Sequence, residues 1–266
     1  MELSVEKYLQ RINYTGDTKP TKENLQKLQR AHLMSVPYEN LDIYFKQAKS
    51  LAIEEIYDKI VLRHRGGYCF EINGLFGWLL RQLGYEVKEY FGRWLYLDAL
   101  EKPARRHRIL HVIFPNGDCI ADAAVGQRAP LTPLAFQYDL EQEREGYKYR
   151  IVKDEALYNV VQREENGNYV NFFSFDLAPQ LNIDFTYVHF FCTSHPNSVF
   201  TQKIMVHIPT ENGRNSIGSV LDPQTGILTP CLNIGLPDGS TERRFLYGET
   251  ELKNALKTYF GICLDI

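Results

Sequence analysis

The chain has 266 residues and a net charge of −3, so it is long enough for two or three packed layers and lacks a broad basic surface for nucleic acid or anionic lipid. Its acidic start does not resemble a secretory leader, and no apolar run approaches the roughly 20 residues of a membrane span, so we expect a cytoplasmic protein. Its five cysteines are widely spaced and form no C-x-x-C pair, which predicts free thiols and neither a disulfide framework nor a metal site.

Four helices are predicted in the first third of the chain. Ser4 and Thr21 can each cap a helix through the side-chain oxygen, and Pro37 ends the second helix because proline lacks an N–H donor. The third helix is predicted near 53–62, and the fourth over 69–84.

The middle of the chain changes to a strand pattern. Strand-like runs occur at 87–96, 108–114, 147–152, 158–161, 172–175 and 204–208. Asn116-Gly117 is a strong signal for a hairpin turn. A last helix is predicted over 249–259, with Gly261 as its C-terminal cap. The residues therefore predict an α+β fold with a helical N-terminal part, a β-rich middle and a mixed C-terminal part.

Cys69 follows two glycines and begins a helix that is apolar around nearly its whole circumference, which predicts a buried central helix. The unpaired N–H groups and the dipole at a helix N-terminus favour an anion and lower a thiol pKa, so Cys69 is a candidate nucleophile. The alternative is that Cys69 is a small buried apolar side chain without chemistry. A neighbouring base with an orienting carboxylate would favour the nucleophile.

A histidine and an aspartate on the predicted hairpin could supply these groups. Asp122 is the single acid in an apolar return strand, so we expect it to have a hydrogen-bond partner. A two-residue turn at 116–117 pairs position 111 with position 122, which favours His111. His107 lies on the same face of the strand, but it becomes the partner only if a bulge or a wider turn shifts the register. In a Cys–His–Asp triad the histidine takes the thiol proton and the aspartate stabilises the imidazolium.

Five motifs resemble those of the arylamine N-acetyltransferases in order and spacing, over essentially the whole chain. They are Val36–Leu41 (VPYENL), similar to P-F-E-N-L; Arg65–Asn73 (RGGYCFEIN), similar to R-G-G-(aromatic)-C-x-x-x-N; Arg106–Leu110 (RHRIL), similar to T-H-L-L-L; Asp122–Gly126 (DAAVG), similar to D-(A/V)-G-F-G; and His195–Phe200 (HPNSVF), similar to H-P-x-S-x-F.

The resemblance implies a helical bundle at 1–85 that carries the nucleophile, a β-barrel at 86–190 that carries the histidine and the aspartate, and an α/β lid at 191–266 that ends in a helix, around a papain-like core. It favours His107 over His111, because the family's catalytic histidine precedes the aspartate by fifteen residues, as His107 precedes Asp122. The implied catalytic residues are Cys69, His107 and Asp122. Glu39 and Arg65 match a family ion pair that braces the site.

The reaction implied by the resemblance is ping-pong transfer of an acetyl group from acetyl-CoA to an arylamine or arylhydrazine through an acetyl-cysteine. Tyr38 and Val125 would line the acceptor site. Arg105, Ser198 and Gly126 are candidates for contact with coenzyme A, whose phosphates need partners. We expect no metal, nucleic acid or membrane partner, and a monomer or a homodimer.

Three departures from the family pattern leave the acceptor preference open. Ala124 stands where glycine is usual, Val125 where phenylalanine is frequent, and Tyr38 where phenylalanine is common. The valine removes aromatic area, so an arylamine would stack less well or the pocket would be wider. The alternatives are a cysteine hydrolase or amidase with the same triad, an amide synthase that uses a bulkier acyl donor, and a binding module whose cysteine is incidental.

Overall fold

The computed structural model describes residues 2–96, 103–124 and 129–264. The helices in these ranges are α1 (Val5–Arg11), α2 (Lys22–Ser35), α3 (Leu41–Tyr44), α4 (Ile53–Tyr57), α5 (Cys69–Gln82), α6 (Phe185–Ser194), α7 (Val199–Gln202) and α8 (Gly248–Phe260). A π-helical turn, Asp58–Leu62, continues α4, and a 3-10 turn, Asn182–Asp184, precedes α6. None of the described helices has the length and apolar character needed to cross a lipid bilayer.

The strands fall into two antiparallel sheets. They are β1 (Tyr38–Glu39), β2 (Glu86–Trp94), β3 (His107–Ile113), β4 (Cys119–Ala121), β5 (Leu134–Ala135), β6 (Gln142–Arg144), β7 (Tyr147–Asp154), β8 (Tyr158–Glu165), β9 (Asn168–Phe175), β10 (Met205–Thr210), β11 (Gly213–Leu221), β12 (Leu228–Gly235) and β13 (Thr241–Phe245). The larger sheet has the order β5-β4-β3-β2-β9-β8-β7-β6 and forms a nearly closed barrel. The smaller sheet has the order β1-β10-β11-β12-β13. The predicted α+β fold class is confirmed.

The caps predicted for three helices are present. The Ser4 hydroxyl accepts a hydrogen bond from the backbone N–H of Lys7 at the start of α1, and the Thr21 hydroxyl accepts one from Asn24 at the start of α2. Gly261 ends α8 in the left-handed conformation, with φ of 67°, which glycine adopts without steric cost. These local signals fix where the helices begin and end.

The core of the helical part surrounds α5, as predicted. Its apolar residues are buried around most of the helix. Residues from distant parts of the chain complete this cluster, because Phe185 and Cys192 of α6 and Phe200 of α7 pack into it. The helices that follow the barrel therefore return to the helix that begins at Cys69. The domain boundaries at 85/86 and 190/191 remain predictions.

The β3–β4 hairpin has a different register from the predicted one. Leu110 pairs with Ala121, and His111 pairs with Ile120, so the prediction of a two-residue turn at Asn116-Gly117 is wrong. The turn lies one residue earlier in the chain, because the backbone N–H of Gly117 donates to the carbonyl of Phe114 at 3.3 Å and the Asp118 carboxylate accepts from the backbone N–H of Phe114 at 3.0 Å. This shifts the pairing of His111 by two residues, from Asp122 to Ile120.

Candidate active site

The backbone around Cys69 places its thiol at the start of a buried helix. Tyr68 is the N-cap residue of α5, and its backbone N–H donates to the Glu71 carboxylate at 3.0 Å. Gly66 has no room for a side chain, because an added Cβ would lie 1.9 Å from the carbonyl oxygen of Pro37. The glycine pair of the motif therefore permits a close backbone contact that leads directly into Cys69.

The Cys69 thiol faces the first residues of the barrel strand β3. Its Sγ donates to the carbonyl oxygen of Arg106 at 3.3 Å. Arg106 directly precedes His107, which is 3% exposed and begins β3. The helix start and the strand start thus bring the candidate nucleophile and the candidate base to the same buried location.

His107 and Asp122 form a short hydrogen bond. The distance from Nε2 of His107 to Oδ2 of Asp122 is 2.6 Å. Asp122 follows the last residue of β4, and an extension of the β3–β4 register would place it opposite Ile109, two residues from His107 on the same face. The carboxylate therefore reaches His107 diagonally, and the shifted register of the hairpin is what makes this contact available.

The other carboxylate oxygen of Asp122 is held by two donors. Oδ1 accepts hydrogen bonds from the Asn73 side-chain amide at 2.9 Å and from the Ala124 backbone N–H at 3.0 Å. The backbone N–H of Asp122 donates to the side chain of Gln29 at 3.2 Å. This buried acid therefore has the partners that its burial requires.

Asn73 links the nucleophile helix to the hairpin. Besides Asp122, its amide nitrogen donates to the carbonyl of Arg108 at 2.6 Å, and its amide oxygen accepts from the backbone N–H of Ala123 at 2.9 Å. Asn73 lies four residues after Cys69, which is one turn of α5. One side chain thus holds the helix that bears the thiol against the strands that bear the histidine and the aspartate.

The second histidine of the hairpin has different partners. His111 bonds Asp118 through Nε2 at 3.0 Å and Tyr90 through Nδ1 at 2.9 Å. The pairing of His111 with Asp122 from the simple hairpin count is wrong. His107 is the histidine that Asp122 contacts, as the family spacing implied.

The hydrogen bond to Asp122 fixes the tautomer of His107. Because a carboxylate only accepts hydrogen bonds, Nε2 carries a hydrogen, and Nδ1 is the nitrogen that can take up or give back a second proton. The ring is enclosed by Trp94 and Phe173, whose centroids lie 6.2 and 6.0 Å from its own. The ring is therefore fixed in the orientation and tautomer that a proton acceptor needs.

Burial raises the pKa of the Cys69 thiol well above its usual range, and the nearby Cys192 and Asp122 raise it further. Arg106 and the backbone N–H of Phe70 act in the opposite direction but do not outweigh burial. The helix N-terminus alone therefore does not make Cys69 a thiolate, contrary to our expectation. A thiolate here requires a neighbouring cation, and an imidazole that accepts the thiol proton becomes one.

A buried cluster of oppositely charged side chains stabilises the backbone that precedes Cys69. Arg65 pairs with Glu39 at 2.8 Å and with Asp42 at 2.7 Å, and Lys59 lies 2.9 Å from Glu71 and 3.0 Å from Asp42. The Glu39–Arg65 pair that the motifs implied is confirmed. Since Glu71 also accepts the N-cap N–H, the cluster connects to the start of α5.

Comparisons with known proteins agree with this arrangement. The N-acetyltransferase family model matches residues 21–266. The arylamine N-acetyltransferase of Mycobacterium tuberculosis is 33% identical over 219 residues, which cover 80% of this chain and 77% of that protein. The chain belongs to the arylamine N-acetyltransferase family. The prediction of an enzyme of this family is therefore confirmed.

Solved structures of the family show the same fold. Mycobacterium marinum arylamine N-acetyltransferase superposes with a TM-score of 0.86 at 30% identity, over 97% of this chain and 93% of that one. The same enzyme in complex with CoA gives a TM-score of 0.84 at 31% identity, with the same coverage. These neighbours have the papain-like fold, as the resemblance implied.

Five residues besides the proposed triad were predicted to line the site. Three of them, Tyr38, Arg105 and Ser198, lie in the described ranges. Tyr38 stacks on His207 with ring centroids 4.5 Å apart, and burial, together with the nearby Cys69, raises the pKa of its phenol. Arg105 forms an ion pair with Asp176. The Ser198 hydroxyl donates to the carbonyl of Cys192 at 2.7 Å and caps α7. Their ligand contacts remain predictions.

Val125 and Gly126, the remaining two, lie outside the described residues. In the described part of the chain, no group of three or more His, Cys, Asp or Glu side chains is arranged to hold a metal ion.

Sequence reasoning assigned no role to Asn73 or Gln29. A signal existed for Asn73, because it is an amide one turn after Cys69 and is followed by a largely apolar stretch of the helix. No local pattern marks Gln29, which reaches Asp122 from 93 residues away.

Proposed function

We propose that this enzyme transfers an acetyl group from acetyl-CoA to an arylamine or arylhydrazine by a ping-pong mechanism, with Cys69 as the acetyl carrier. The observation that supports it best is the 2.6 Å bond between His107 and Asp122 beside the thiol. It leaves Nδ1 of His107 as the base, in the tautomer that can accept the thiol proton.

In the first half-reaction the Cys69 proton moves to Nδ1 of His107, and the sulfur attacks the thioester carbonyl carbon of acetyl-CoA. The carbon–sulfur bond to coenzyme A breaks, and the coenzyme leaves as a thiol with the proton from His107. The product is acetyl-Cys69. Asp122 stabilises the imidazolium during this step.

In the second half-reaction the acceptor nitrogen attacks the acetyl carbonyl carbon of Cys69. His107 takes a proton from that nitrogen, and the bond between carbon and Sγ breaks to restore Cys69. Aromatic amines suit this step, because they are weak bases and remain neutral nucleophiles near pH 7, whereas an alkyl amine of the lysine type is mostly protonated.

Several observations support coenzyme A as the donor carrier and an aromatic acceptor. A structural neighbour from Mycobacterium marinum was solved in complex with CoA. Tyr38, the proposed wall of the acceptor site, lies near Cys69, which adds to the rise that burial causes in the pKa of its phenol. We keep Val125 as the other wall and Gly126, Arg105 and Ser198 as the proposed coenzyme contacts. Arg105 would then have to exchange its partner Asp176 for a phosphate.

The test is mass spectrometry of the intact enzyme after brief exposure to acetyl-CoA without acceptor. We expect the mass to increase by one acetyl group, located on the peptide that contains Cys69 and absent in Cys69→Ser. An acetyl group on another residue, or none in the wild type, would contradict the proposal.

A second assay separates transfer from hydrolysis. Release of free coenzyme A is followed in the presence and absence of an arylamine. Transfer predicts that release stops after one equivalent without the amine and continues with it. Continuous release that does not respond to the amine would instead identify a hydrolase.

We also propose a cytoplasmic location, because all five cysteines are free.

A further inference from the structure

A hydrogen-bonded chain of groups lies directly behind the nucleophile. His189 of α6 lies within hydrogen-bond distance of two groups: its Nδ1 is 2.5 Å from the hydroxyl of Tyr68, and its Nε2 is 2.7 Å from the carbonyl oxygen of Lys49. Tyr68 is fully buried, and His189 is 9% exposed. Tyr68 directly precedes Cys69, so this chain ends one residue from the reacting sulfur.

The direction of both hydrogen bonds is fixed. The Lys49 carbonyl only accepts, so Nε2 of His189 carries the hydrogen and donates. Burial lowers the pKa of His189, so its ring is neutral near pH 7 and Nδ1 has a free lone pair. The Tyr68 hydroxyl therefore donates to Nδ1. A histidine in this tautomer accepts from Tyr68 and donates to Lys49 at the same time.

Tyr68 controls the geometry of Cys69 because it is the N-cap residue of α5. Its carbonyl accepts the Ile72 N–H at 2.9 Å, and its own N–H donates to Glu71. Its ring packs against Phe70 and Phe200, with centroids 5.5 and 5.6 Å away. The ring of Tyr68 thus connects α5 to α6 and α7. Its ring contacts there are apolar, and its hydroxyl makes the hydrogen bond that fixes its direction.

We propose that His189 is a positioning residue for the transfer reaction: through the Tyr68 hydroxyl it fixes the N-cap of α5 and hence the direction of the Cys69 sulfur. This rests on the proposed role of Cys69 as the acetyl carrier. Without His189 the buried hydroxyl of Tyr68 has no hydrogen-bond acceptor. The Tyr68 ring then rotates towards another acceptor and displaces the backbone at the start of α5. Displacements of about 1 Å at a reacting group can cost about a hundredfold in rate.

Three variants separate the hydrogen bond from packing. His189→Leu removes both hydrogen bonds. His189→Asn keeps an acceptor at the position of Nδ1, because its side-chain oxygen is attached to the same carbon. Tyr68→Phe removes only the hydroxyl. Tyr187→Phe is the matched control, since it also removes one phenol oxygen from an aromatic residue, on the same helix as His189 but 83% exposed.

The first readout is the single-turnover rate of Cys69 acetylation, with the KM for acetyl-CoA measured alongside. We expect a fall of about tenfold in His189→Leu and in Tyr68→Phe, no further fall in the double variant, and an unchanged KM. His189→Asn should recover to within about threefold of the wild type, and Tyr187→Phe should match it. Thermal unfolding of each variant confirms that it is folded at the assay temperature.

The second readout is the rate of Cys69 alkylation by iodoacetamide at neutral pH, which should follow the same order and does not require acetyl transfer. A wild type that alkylates but accepts no acetyl group would therefore contradict the proposed function and not the positioning role. Wild-type rates in His189→Leu, or an equal loss in His189→Asn and His189→Leu, would overturn the positioning role. If His189→Leu does not fold, Tyr68→Phe still tests the positioning role: a wild-type rate of Cys69 acetylation in that variant is enough to overturn it.

Discussion

Replacement of Asp122 by asparagine tests the proton relay with almost no change in shape. The amide of Asp122→Asn can take only one orientation, because the side chain of Asn73 and the backbone N–H of Ala124 both donate to the Oδ1 position. The amide oxygen must remain there, and the NH2 group then faces Nε2 of His107. A donor at this position forces Nε2 to become the acceptor, so the hydrogen moves to Nδ1 and the base is lost.

The expected loss follows from this reversed tautomer. The equivalent substitution in a serine protease triad lowers kcat by about 10⁴, and here we expect a loss of about 10³ to 10⁴ in the rate of Cys69 acetylation. That loss corresponds to about 4 to 5 kcal/mol of barrier. The assay is rapid-quench mass spectrometry of the acetylated enzyme.

Asp118→Asn is the matched control, because Asp118 contacts His111 in the same hairpin at 3.0 Å. We expect the control to keep its acetylation rate to within about threefold, since the substitution does not touch the relay. A loss below about tenfold in Asp122→Asn, or equal losses in both variants, would refute the assignment of His107 as the base.

Three further predictions concern the framework of the site. Arg65→Met removes the shorter of the two ion pairs that Glu39 makes, at 2.8 Å, and leaves this fully buried carboxylate with Lys59 at 3.8 Å. Chemical denaturation should therefore show a loss of about 3 kcal/mol in unfolding free energy, and a loss below about 1 kcal/mol would contradict the bracing role. Asn73→Ala should lower the acetylation rate at least tenfold and destabilise the enzyme by about 2 kcal/mol, because it leaves buried partners unsatisfied; unchanged rates would contradict its role. Burial lowers the pKa of His32 from 6.5 to about 3 in the folded protein. The unfolded chain therefore takes up a proton at this residue at a higher pH than the folded chain does, and the free energy of unfolding falls as the pH drops below 6.5. Between about pH 7 and pH 4.5, His32→Phe should lose about 3 kcal/mol less unfolding free energy than the wild type. Urea unfolding at the two pH values measures this, and equal losses in the two proteins would refute it.

The sequence predicted α1, α2, α5 and α8 well, because their signals are local, but it did not predict the short helix α3. Side-chain caps, a proline and a terminal glycine act on adjacent backbone groups, and α1, α2, α5 and α8 begin and end close to the predicted positions. The strands β11, β12 and β13 were not predicted. They pair with each other at moderate burial and have weak alternation of apolar and polar residues, so the local pattern carried little signal.

The hairpin shows where local reasoning fails. Asn116-Gly117 is a good two-residue turn in isolation, but the turn forms one residue earlier, where Gly117 donates to the carbonyl of Phe114 and the Asp118 side chain accepts from the Phe114 N–H. The family spacing gave the correct partner of Asp122 where the residue count did not. The three residues that we propose as a triad could thus be identified from motifs. The contacts from Gln29 and His189, by contrast, depend on distant segments that only the fold brings together.

The electrostatics of Cys69 depend on burial, which a motif does not report. The helix start favours an anion, but the enclosed position raises the thiol pKa and the carboxylate of Asp122 adds to this. We therefore propose that the reactivity of Cys69 depends on His107, which directly follows the residue that the thiol contacts, rather than on the helix dipole.

The most direct measurement is the pH dependence of Cys69 alkylation in the wild type and in His107→Gln, with the exposed Cys263 of the same molecule as the reference thiol. We predict that wild-type Cys69 reacts rapidly at neutral pH and below, while in His107→Gln it reacts only in alkali, at higher pH than Cys263. Coincident profiles for the two proteins, or a wild-type Cys69 that reacts only in alkali, would contradict the proposal that His107 holds the proton of Cys69.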